Sequence, residues 1–145
     1  MTGSHVIVGH ARSDEQKKVL EDIVESGECP FCIGNLTKHH KLPITLATDH
    51  WFVTENQWPY KNAGIQVLII PVRHVETILE LTTQEWADWA TVVVQASYLY
   101  NIDAGAICMR FGDPEVSGAS VRHLHSQLIV PNPEAKAPVR YKIGK

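Results

Sequence analysis

One stretch near the carboxyl terminus constrains the fold more than any other, because it predicts a strand that carries two histidines. Residues 117–131 spell Ser-Gly-Ala-Ser-Val-Arg-His-Leu-His-Ser-Gln-Leu-Ile-Val-Pro. Their β-branched content and alternation predict a strand over residues 121–130, ended by the Pro-Asn-Pro sequence that follows. Because side chains alternate along a strand, His123, His125 and Gln127 should share one face. The two histidines on this face either chelate one metal ion or act separately.

Small and polar residues precede this strand. Ser117, Gly118 and Ser120 can turn backbone N–H groups and hydroxyls toward an anion. This arrangement favours a functional site at the start of the strand. The competing interpretation is an exposed sheet face that happens to carry histidines.

Length and composition exclude several classes of protein. A chain of 145 residues is expected to form one domain and to remove about two-thirds of its unfolded surface from water. No apolar run approaches the roughly 18 residues of a membrane span, and no secretory signal is recognisable, so we expect a cytoplasmic protein without membrane contacts. A net charge of −3 gives no general attraction for nucleic acid polymers. An anionic ligand would have to be held by local groups.

Two helices are predicted. Residues 14–26 place apolar side chains at helical spacing, with Ser13 or Asp14 as the amino-terminal cap and Gly27 as the end. Thr82 and Glu85 form a capping box at the start of a longer helix. This second helix should present an apolar stripe to the core, formed by Trp86, Trp89, Ala90, Val93, Val94 and Tyr98.

The remaining segments predict strands and loops. Residues 44–54 suit one or two strands broken near Asp49, residues 66–71 suit a central strand buried on both faces, and residues 106–111 suit another strand. Residues 37–41 are polar, so His39 and His40 should be solvated. This order of elements predicts an α+β fold with a mainly antiparallel sheet. The basic tail, residues 132–145, is either an arm over a partner or loose.

A Cys-x-x-Cys pair, Cys29 and Cys32, indicates metal or redox chemistry before a structural disulfide. Such a pair supplies two zinc ligands from one tight turn, so two more must come from elsewhere. His74, after a buried strand and a Pro turn, and His123 are the strongest candidates, and His50 is the rival to His74. A redox dithiol, and a zinc ion bound by both His123 and His125, remain as alternatives.

The spelling His-Leu-His-Ser-Gln after Ser-Gly-Ala-Ser resembles the signature of the histidine triad (HIT) superfamily of nucleotide hydrolases and transferases. It is most similar to the branch in which glutamine replaces the third histidine, which includes galactose-1-phosphate uridylyltransferase and the dinucleoside tetraphosphate phosphorylases. The resemblance implies a five-stranded antiparallel sheet with two main helices, usually paired into a homodimer. It covers roughly residues 28–131, which leaves residues 1–27 as an amino-terminal extension with a short helix and residues 132–145 as a tail.

The resemblance also implies roles for particular residues. Several relatives hold structural zinc with residues that correspond to Cys29, Cys32, His74 and His123. His125 then matches the nucleophile, which forms a covalent nucleotidyl-histidine intermediate. With one ring nitrogen protonated and bonded to an acceptor, the other nitrogen of His125 is free to attack phosphorus.

Gln127 corresponds to the third histidine of the signature. An amide cannot deliver a proton to a leaving group near neutral pH, so Gln127 should orient phosphate and the departing group should already be a good one.

Nucleotide contacts are expected from Gly118, Ala119 and Ser120, where relatives contact phosphate. Asn56 matches the position that holds ribose hydroxyls, although it could equally be a turn former. Arg110 and Arg122 could neutralise phosphate charge. The chain departs from many relatives at Ile65-Gln66, where they have Gly-His, and near Gly112, where they have asparagine.

The sequence therefore predicts an enzyme, a nucleotidyl transferase, phosphorylase or hydrolase that cleaves a dinucleoside polyphosphate or a related nucleotide ester through His125, with structural Zn²⁺. A nucleotide-binding sensor with little turnover and a zinc-stabilised dimeric interaction module are the alternatives.

Overall fold

The apolar run in the middle of the sequence becomes the centre of a five-stranded sheet. The structure is a computed structural model that describes residues 4–145, so the first three residues of the predicted amino-terminal extension lie outside it. Short 3-10 helices at Val8–His10 and Ile78–Glu80 accompany the main elements, which are α1 (Asp14–Ser26), α2 (Leu36–His39), β1 (Ile44–Ala47), β2 (Trp51–Glu55), β3 (Ala63–Pro71), α3 (Thr83–Leu99), β4 (Ala106–Arg110), α4 (Pro114–Ser117) and β5 (His125–Pro131).

The strands lie in the order β1-β2-β3-β5-β4, and every neighbouring pair is antiparallel. β3 is the central strand, and its residues from Gln66 onward are all buried, as the continuous apolar run predicted. Two of the four α-helices within residues 4–145, α1 and α3, are long. The predicted α+β fold with a five-stranded antiparallel sheet and two main helices is confirmed.

The two faces of the sheet are covered differently, and this positions the site. Helix α3 packs on one face over a cluster formed by Trp51, Val53, Val67, Ile69, Val92, Ala96 and Leu128. Residues of β2 and β3 that point the other way, including Phe52 and Ile70, pack against Leu36. On β5, Ser126 accepts a hydrogen bond from Trp89 of α3, so His125 and Gln127 point to the opposite face.

Both long helices begin at the predicted caps. The Ser13 side chain accepts from the backbone N–H of Gln16, and Gly27 ends α1 with a positive φ of 69°. Thr82 and Glu85 form the predicted capping box at the start of α3.

The predicted stripe of α3 was partly wrong. Val92 and Ala96 are fully buried, whereas Val94 is 54% exposed and Tyr98 is 84% exposed. Helix α3 carries apolar residues on two sides, and only one side can face the sheet. Periodicity alone therefore could not predict which of the two sides is buried. The second apolar side is left on the surface.

The predicted strand over residues 121–130 begins late, at His125. Val121 instead pairs with Val6 in an isolated bridge, and Leu124 donates its N–H to the carbonyl of Val75. Because of these contacts with other segments, residues 121–124, which include His123, do not belong to β5.

The prediction that His39 and His40 are solvated was also wrong for His40. His39 lies in α2, and Nε2 of His40 is 2.7 Å from the hydroxyl of Thr54. Burial lowers the pKa of His40 below its ordinary value. Within residues 4–145, no helix is both long and apolar enough to cross a membrane.

Candidate functional site

Four predicted metal ligands from three separate segments meet beside the start of β5. The ligand atoms of Cys29, Cys32, His74 and His123 all lie within 4.8 Å of one another. Sγ of Cys29 is 3.4 Å from Nδ1 of His123, and Sγ of Cys32 is 3.4 Å from Nδ1 of His74 and 3.7 Å from Nδ1 of His123. A tetrahedral zinc ion with ordinary bond lengths separates its sulfur and nitrogen ligands by about 3.5 Å. The spacing of the four residues fits such an ion.

The second nitrogen of each histidine in this cluster is engaged elsewhere. Nε2 of His123 is 2.8 Å from the carbonyl oxygen of Pro71, and Nε2 of His74 is 2.9 Å from a carboxylate oxygen of Glu76. A histidine that donates Nε2–H to such an acceptor leaves Nδ1 with a free lone pair, which is the arrangement of histidine ligands in metal sites. Burial lowers the pKa of His123 to about 4, which keeps its ring neutral near pH 7.

The rival ligand His50 lies elsewhere. It lines a shallow surface pocket with Asp49 and Asp88, beside α3. The structure therefore groups His74, and not His50, with the cysteines.

His125 is held apart from this cluster in a defined orientation. Its Nδ1 is 2.9 Å from the carbonyl oxygen of His123, which places the ring proton on Nδ1 and leaves Nε2 with its lone pair. Phe31, from the turn between the two cysteines, packs edge-on against the ring at a centroid distance of 5.1 Å. Burial, and to a smaller extent Arg110, lower the pKa of His125 to about 4, against the opposing effect of the backbone hydrogen bond. The ring is therefore neutral near pH 7, as a nucleophile must be.

Gln127 belongs to a small cluster of amide side chains. Its Oε1 accepts hydrogen bonds from Nε2 of Gln66 and, at 3.2 Å, from Nδ2 of Asn56. Its Nε2 donates to the hydroxyl of Tyr60 at 3.3 Å. These bonds fix the side-chain amide with its nitrogen toward Tyr60.

Three of the four residues predicted to contact the nucleotide line one cavity, and the fourth does not. Gly118, Ser120 and Asn56 line the same cavity as His125 and Gln127. Ala119 is buried, its carbonyl oxygen is 2.8 Å from Nδ1 of His10, and it does not line the cavity. Asn56 also accepts from the backbone N–H of Trp58 at 2.7 Å, as a turn-forming asparagine does.

This cavity has a volume of about 290 Å³, and His125 lies in its wall. Its size suits a small ligand such as a nucleotide. Several lining residues were not singled out in the sequence, namely His10, Arg12, Phe31, Trp58, Tyr60, Arg140 and Lys142. Arg110 lines the cavity, whereas Arg122 does not and instead donates to the carbonyl of Ser4.

The terminal segments account for most of these unexpected residues. His10 and Arg12 precede α1, and Arg140 and Lys142 belong to the carboxyl-terminal tail. In the sequence these residues are recognisable only as basic side chains near the two termini. They reach the cavity through contacts with residues that are distant in sequence. The role of Gln66 as the partner of Gln127 was easier to anticipate, because a polar side chain in a buried strand needs a hydrogen-bond partner.

Comparisons with known proteins give a structural likeness without a sequence match. The sequence matches no family model, and it matches none of the curated proteins. A histidine triad nucleotide-binding protein from Candida albicans superposes with a TM-score of 0.62 at 19% identity, over 79% of this chain and 86% of that chain. A HIT family hydrolase from Clostridium thermocellum gives a TM-score of 0.59 at 19% identity, over 76% of this chain and 96% of that chain.

A Zn-bound histidine triad family protein from Mycobacterium smegmatis is also similar, with a TM-score of 0.59 at 18% identity, over 81% of this chain and 84% of that chain. The likeness covers between 84% and 96% of the length of these three neighbours. The chain therefore has the fold of the histidine triad proteins.

Proposed function

We propose that this chain is a histidine triad enzyme that binds a nucleotide in the cavity beside β5 and cleaves a phosphate ester or anhydride through His125. The observation that carries the proposal is the state of the His125 ring. Its Nδ1 is bonded to the carbonyl of His123, its pKa is low, and its ring lies in the cavity wall with Gly118 and Ser120. The HIT fold and the nucleotide-binding and hydrolase neighbours support the same activity.

The reaction would proceed in two steps. Nε2 of His125 forms a bond to the α-phosphorus of the nucleotide, the P–O bond to the departing phosphate breaks, and that phosphate leaves with the electron pair. An oxygen of water or inorganic phosphate then attacks the same phosphorus. The N–P bond breaks, its electron pair returns to Nε2, and the attacking oxygen releases its proton to solvent. A covalent intermediate of this kind divides one difficult substitution into two easier ones.

Gln127 would orient the phosphate and would not act as a general acid. Its side-chain nitrogen donates to the Tyr60 hydroxyl, and an amide does not release a proton near neutral pH. This favours substrates whose departing group is already stable as an anion, such as a nucleoside polyphosphate or a dinucleoside polyphosphate. It also supports the glutamine-containing branch of the superfamily.

Cys29, Cys32, His74 and His123 would hold a structural zinc ion. Zinc would supply a crosslink between the Cys-Pro-Phe-Cys turn and the start of β5, in a closed site with four protein ligands. Phe31 of that turn contacts His125, so the crosslink would also keep the nucleophile in place.

The protein would act as a homodimer. β4 pairs only with β5 among the described strands, so its outer edge can accept a second copy. Val94 and Tyr98 of α3 and Ile107 of β4 form exposed apolar surface on the same side of the sheet. A twofold pairing of β4 and α3 would cover both features.

Transfer of label to the protein tests the proposed chemistry. The protein is incubated with ATP labelled at the α-phosphate, or with labelled diadenosine tetraphosphate, and quenched in base, and the N–P bond is then identified by its loss in acid. We expect acid-labile label on the wild-type protein and on His50→Ala, and none on His125→Ala.

Two other outcomes separate the alternatives. Nucleotide binding without any label would support a sensor with little turnover. Equal labelling of His125→Ala and the wild-type protein would exclude His125 as the nucleophile.

A further inference from the structure

The cavity beside β5 is lined by cationic side chains and by no carboxylate. Arg12, Arg110, Arg140 and Lys142 line it, and none of its lining residues within the described chain is Asp or Glu. The whole chain has more acidic than basic residues, with 16 Asp and Glu against 13 Lys and Arg. The positive charge is therefore concentrated at the cavity, and a concave surface of one charge sign concentrates ligands of the opposite sign.

Two of these cations converge on one aromatic residue. The guanidinium carbon of Arg12 lies 4.3 Å from the centroid of the Tyr60 ring, and Nη1 of Arg110 donates to the Tyr60 hydroxyl at 3.0 Å. The two charges are close enough to affect each other. Burial lowers the pKa of Arg12, Tyr60 raises it, and Arg110 lowers it again.

Both guanidinium groups have only neutral partners among residues 4–145. Arg12 donates to the carbonyl of Trp58, and Arg110 donates to the carbonyl of Lys142 and to Tyr60. Neither forms an ion pair with a carboxylate of the described chain. Arg12 is exposed and Arg110 is half-buried, so the two adjacent cations remain open to an anionic ligand that would supply the missing negative charge.

This pair of arginines lies next to the proposed nucleophile. Arg110 is the direct partner of His125 in the pairing of β4 with β5. The Tyr60 hydroxyl joins Arg110 to Gln127, which follows His125 on the same face of β5. Gly118 and Ser120 line another part of the cavity wall. A phosphate beside His125 and Ser120 would thus leave the next phosphate of the same ligand within reach of the arginines.

The carboxyl-terminal tail is fixed on the same arginine. Arg110 stacks on the Tyr141 ring at 4.0 Å, and its Nε donates to the carbonyl of Lys142 at 2.8 Å. The N–H of Gly144 donates to the carbonyl of Ser117 at 3.0 Å. These contacts keep Arg140 and Lys142 at the rim of the cavity. The tail therefore adds two cations beside the arginine pair.

We propose that Arg12 and Arg110 form a second anion subsite, which binds the phosphate that departs when His125 attacks. The substrate is then a nucleotide with two or more linked phosphates, in preference to a nucleoside monophosphate ester with an uncharged leaving group. This inference rests on the proposed function, because the subsite is defined by its position beside His125. Arg12 belongs to the amino-terminal segment, outside residues 28–131, which carry the resemblance of the sequence to the histidine triad signature.

Binding measurements without turnover test the subsite. Calorimetry on His125→Ala compares AMP, ATP and inorganic tripolyphosphate, with and without Arg12→Gln. We expect ATP to bind about 10- to 100-fold more tightly than AMP, from the added charged hydrogen bonds. Arg12→Gln should remove most of this ratio, should weaken tripolyphosphate to a similar extent, and should leave the affinity for AMP nearly unchanged. Arg12→Lys should keep part of the ratio.

Arg122→Gln is the matched control, because Arg122 lies outside the cavity and should leave the ATP to AMP ratio unchanged. Equal affinity for AMP and ATP, or equal loss of both in Arg12→Gln, would overturn the subsite. So would failure of tripolyphosphate and nucleotides alike to bind. Binding of tripolyphosphate that depends on Arg12, without nucleotide binding or label on His125, would keep the anion subsite and refute the proposed enzyme.

Discussion

At the scale of single residues, the site depends on hydrogen bonds that fix which atom of each ring or amide faces the cavity. His123 and His125 are two residues apart and have similar rings, yet their partners differ. Nδ1 of His123 faces the cysteines because Nε2 is held by Pro71, whereas Nδ1 of His125 is held by the carbonyl of His123. The same residue type is thus suited to metal binding at one position and, in the proposed reaction, to attack on phosphorus at the other.

Substitution of Gln127 by histidine tests the leaving-group argument. A histidine at this position can protonate a departing amine, which the wild-type amide cannot do. We expect Gln127→His to raise the rate on adenosine phosphoramidate relative to ATP by about 100-fold, a typical gain from general acid catalysis. The measurement is the ratio of kcat/KM for the two substrates.

Gln127→Asn is the matched control for that ratio, because it keeps an amide and cannot act as an acid. A ratio that is the same in Gln127→His and Gln127→Asn would show that protonation of the leaving group does not limit the reaction.

At the scale of elements, the start of α3 combines a helix cap with an ion pair. Glu85 accepts from the backbone N–H of Thr82 and forms a salt bridge with Arg73 at 2.8 Å. The hydrogen bond from Arg73 is the main cause that lowers the pKa of Glu85 to about 2, against the opposing effect of burial. A carboxylate whose pKa is lowered by folding stabilises the folded state above its unfolded pKa, and this contribution disappears as the pH falls toward the folded pKa.

Glu85→Gln should therefore destabilise the protein in a pH-dependent way. Glutamine can still complete the capping box with Thr82, so the substitution mainly removes the charge. Because Arg73 is half exposed, we expect a loss of about 1 kcal/mol in the free energy of unfolding at pH 6. The loss should shrink between about pH 4.5 and pH 2, as urea unfolding at a series of pH values would measure. A difference that stays constant over this range would contradict the assigned ion pair.

The Cys-Pro-Phe-Cys turn is a second element whose contribution can be measured. If Cys32 is a zinc ligand, Cys32→Ser should lower the zinc content well below one ion per chain. It should also lower the Tm by about 10 °C or more, because a structural ion contributes several kcal/mol to folding. Cys108→Ser is the matched control, since Cys108 lies on β4 outside the cluster. Full zinc content in Cys32→Ser, measured by atomic emission, would exclude Cys32 as a ligand.

Local patterns predicted the elements better than the cavity. The caps of α1 and α3 and the buried run of β3 depend on neighbouring residues, so they were correct. The late start of β5 and the burial of His40 depend on contacts with Val6 and Thr54, which are distant in sequence. Sequence position favoured His74 and His123 as partners of the two cysteines but left His50 as a rival to His74, and the resemblance to a family completed the set of four residues.

The cationic side of the cavity was the least predictable part of the site. Arg12 and Arg110 lie close together because both contact Tyr60, which belongs to the loop between β2 and β3. No short pattern in the sequence marks residues brought together from the amino-terminal segment, a loop and β4. The sequence showed Arg110 as a possible phosphate contact, but it gave no reason to pair Arg110 with Arg12.

At the scale of the whole molecule, the fold separates the face that carries the cavity from an apolar face. The cavity and the cysteine and histidine cluster lie on the side of the sheet opposite α3, while α3 leaves Val94 and Tyr98 exposed. Ile107, which is 49% exposed, pairs with Leu128 of the core under α3 and so faces the same side. Apolar surface beside an unpaired strand edge is a surface that another chain can cover.

Disruption of this apolar surface should separate the proposed dimer. We expect Tyr98→Asp to convert a dimer into a monomer at micromolar concentration, because a charge in a covered apolar interface lacks a partner. Sedimentation equilibrium measures the mass of each variant. Leu79→Asp is the matched control, since Leu79 is 87% exposed but lies in the short 3-10 helix before α3. A wild-type protein that is monomeric under these conditions, or a Tyr98→Asp variant that stays dimeric, would exclude α3 and β4 as the interface. If Tyr98→Asp is a folded monomer that still forms labelled His125, the proposed catalytic site is complete within one chain.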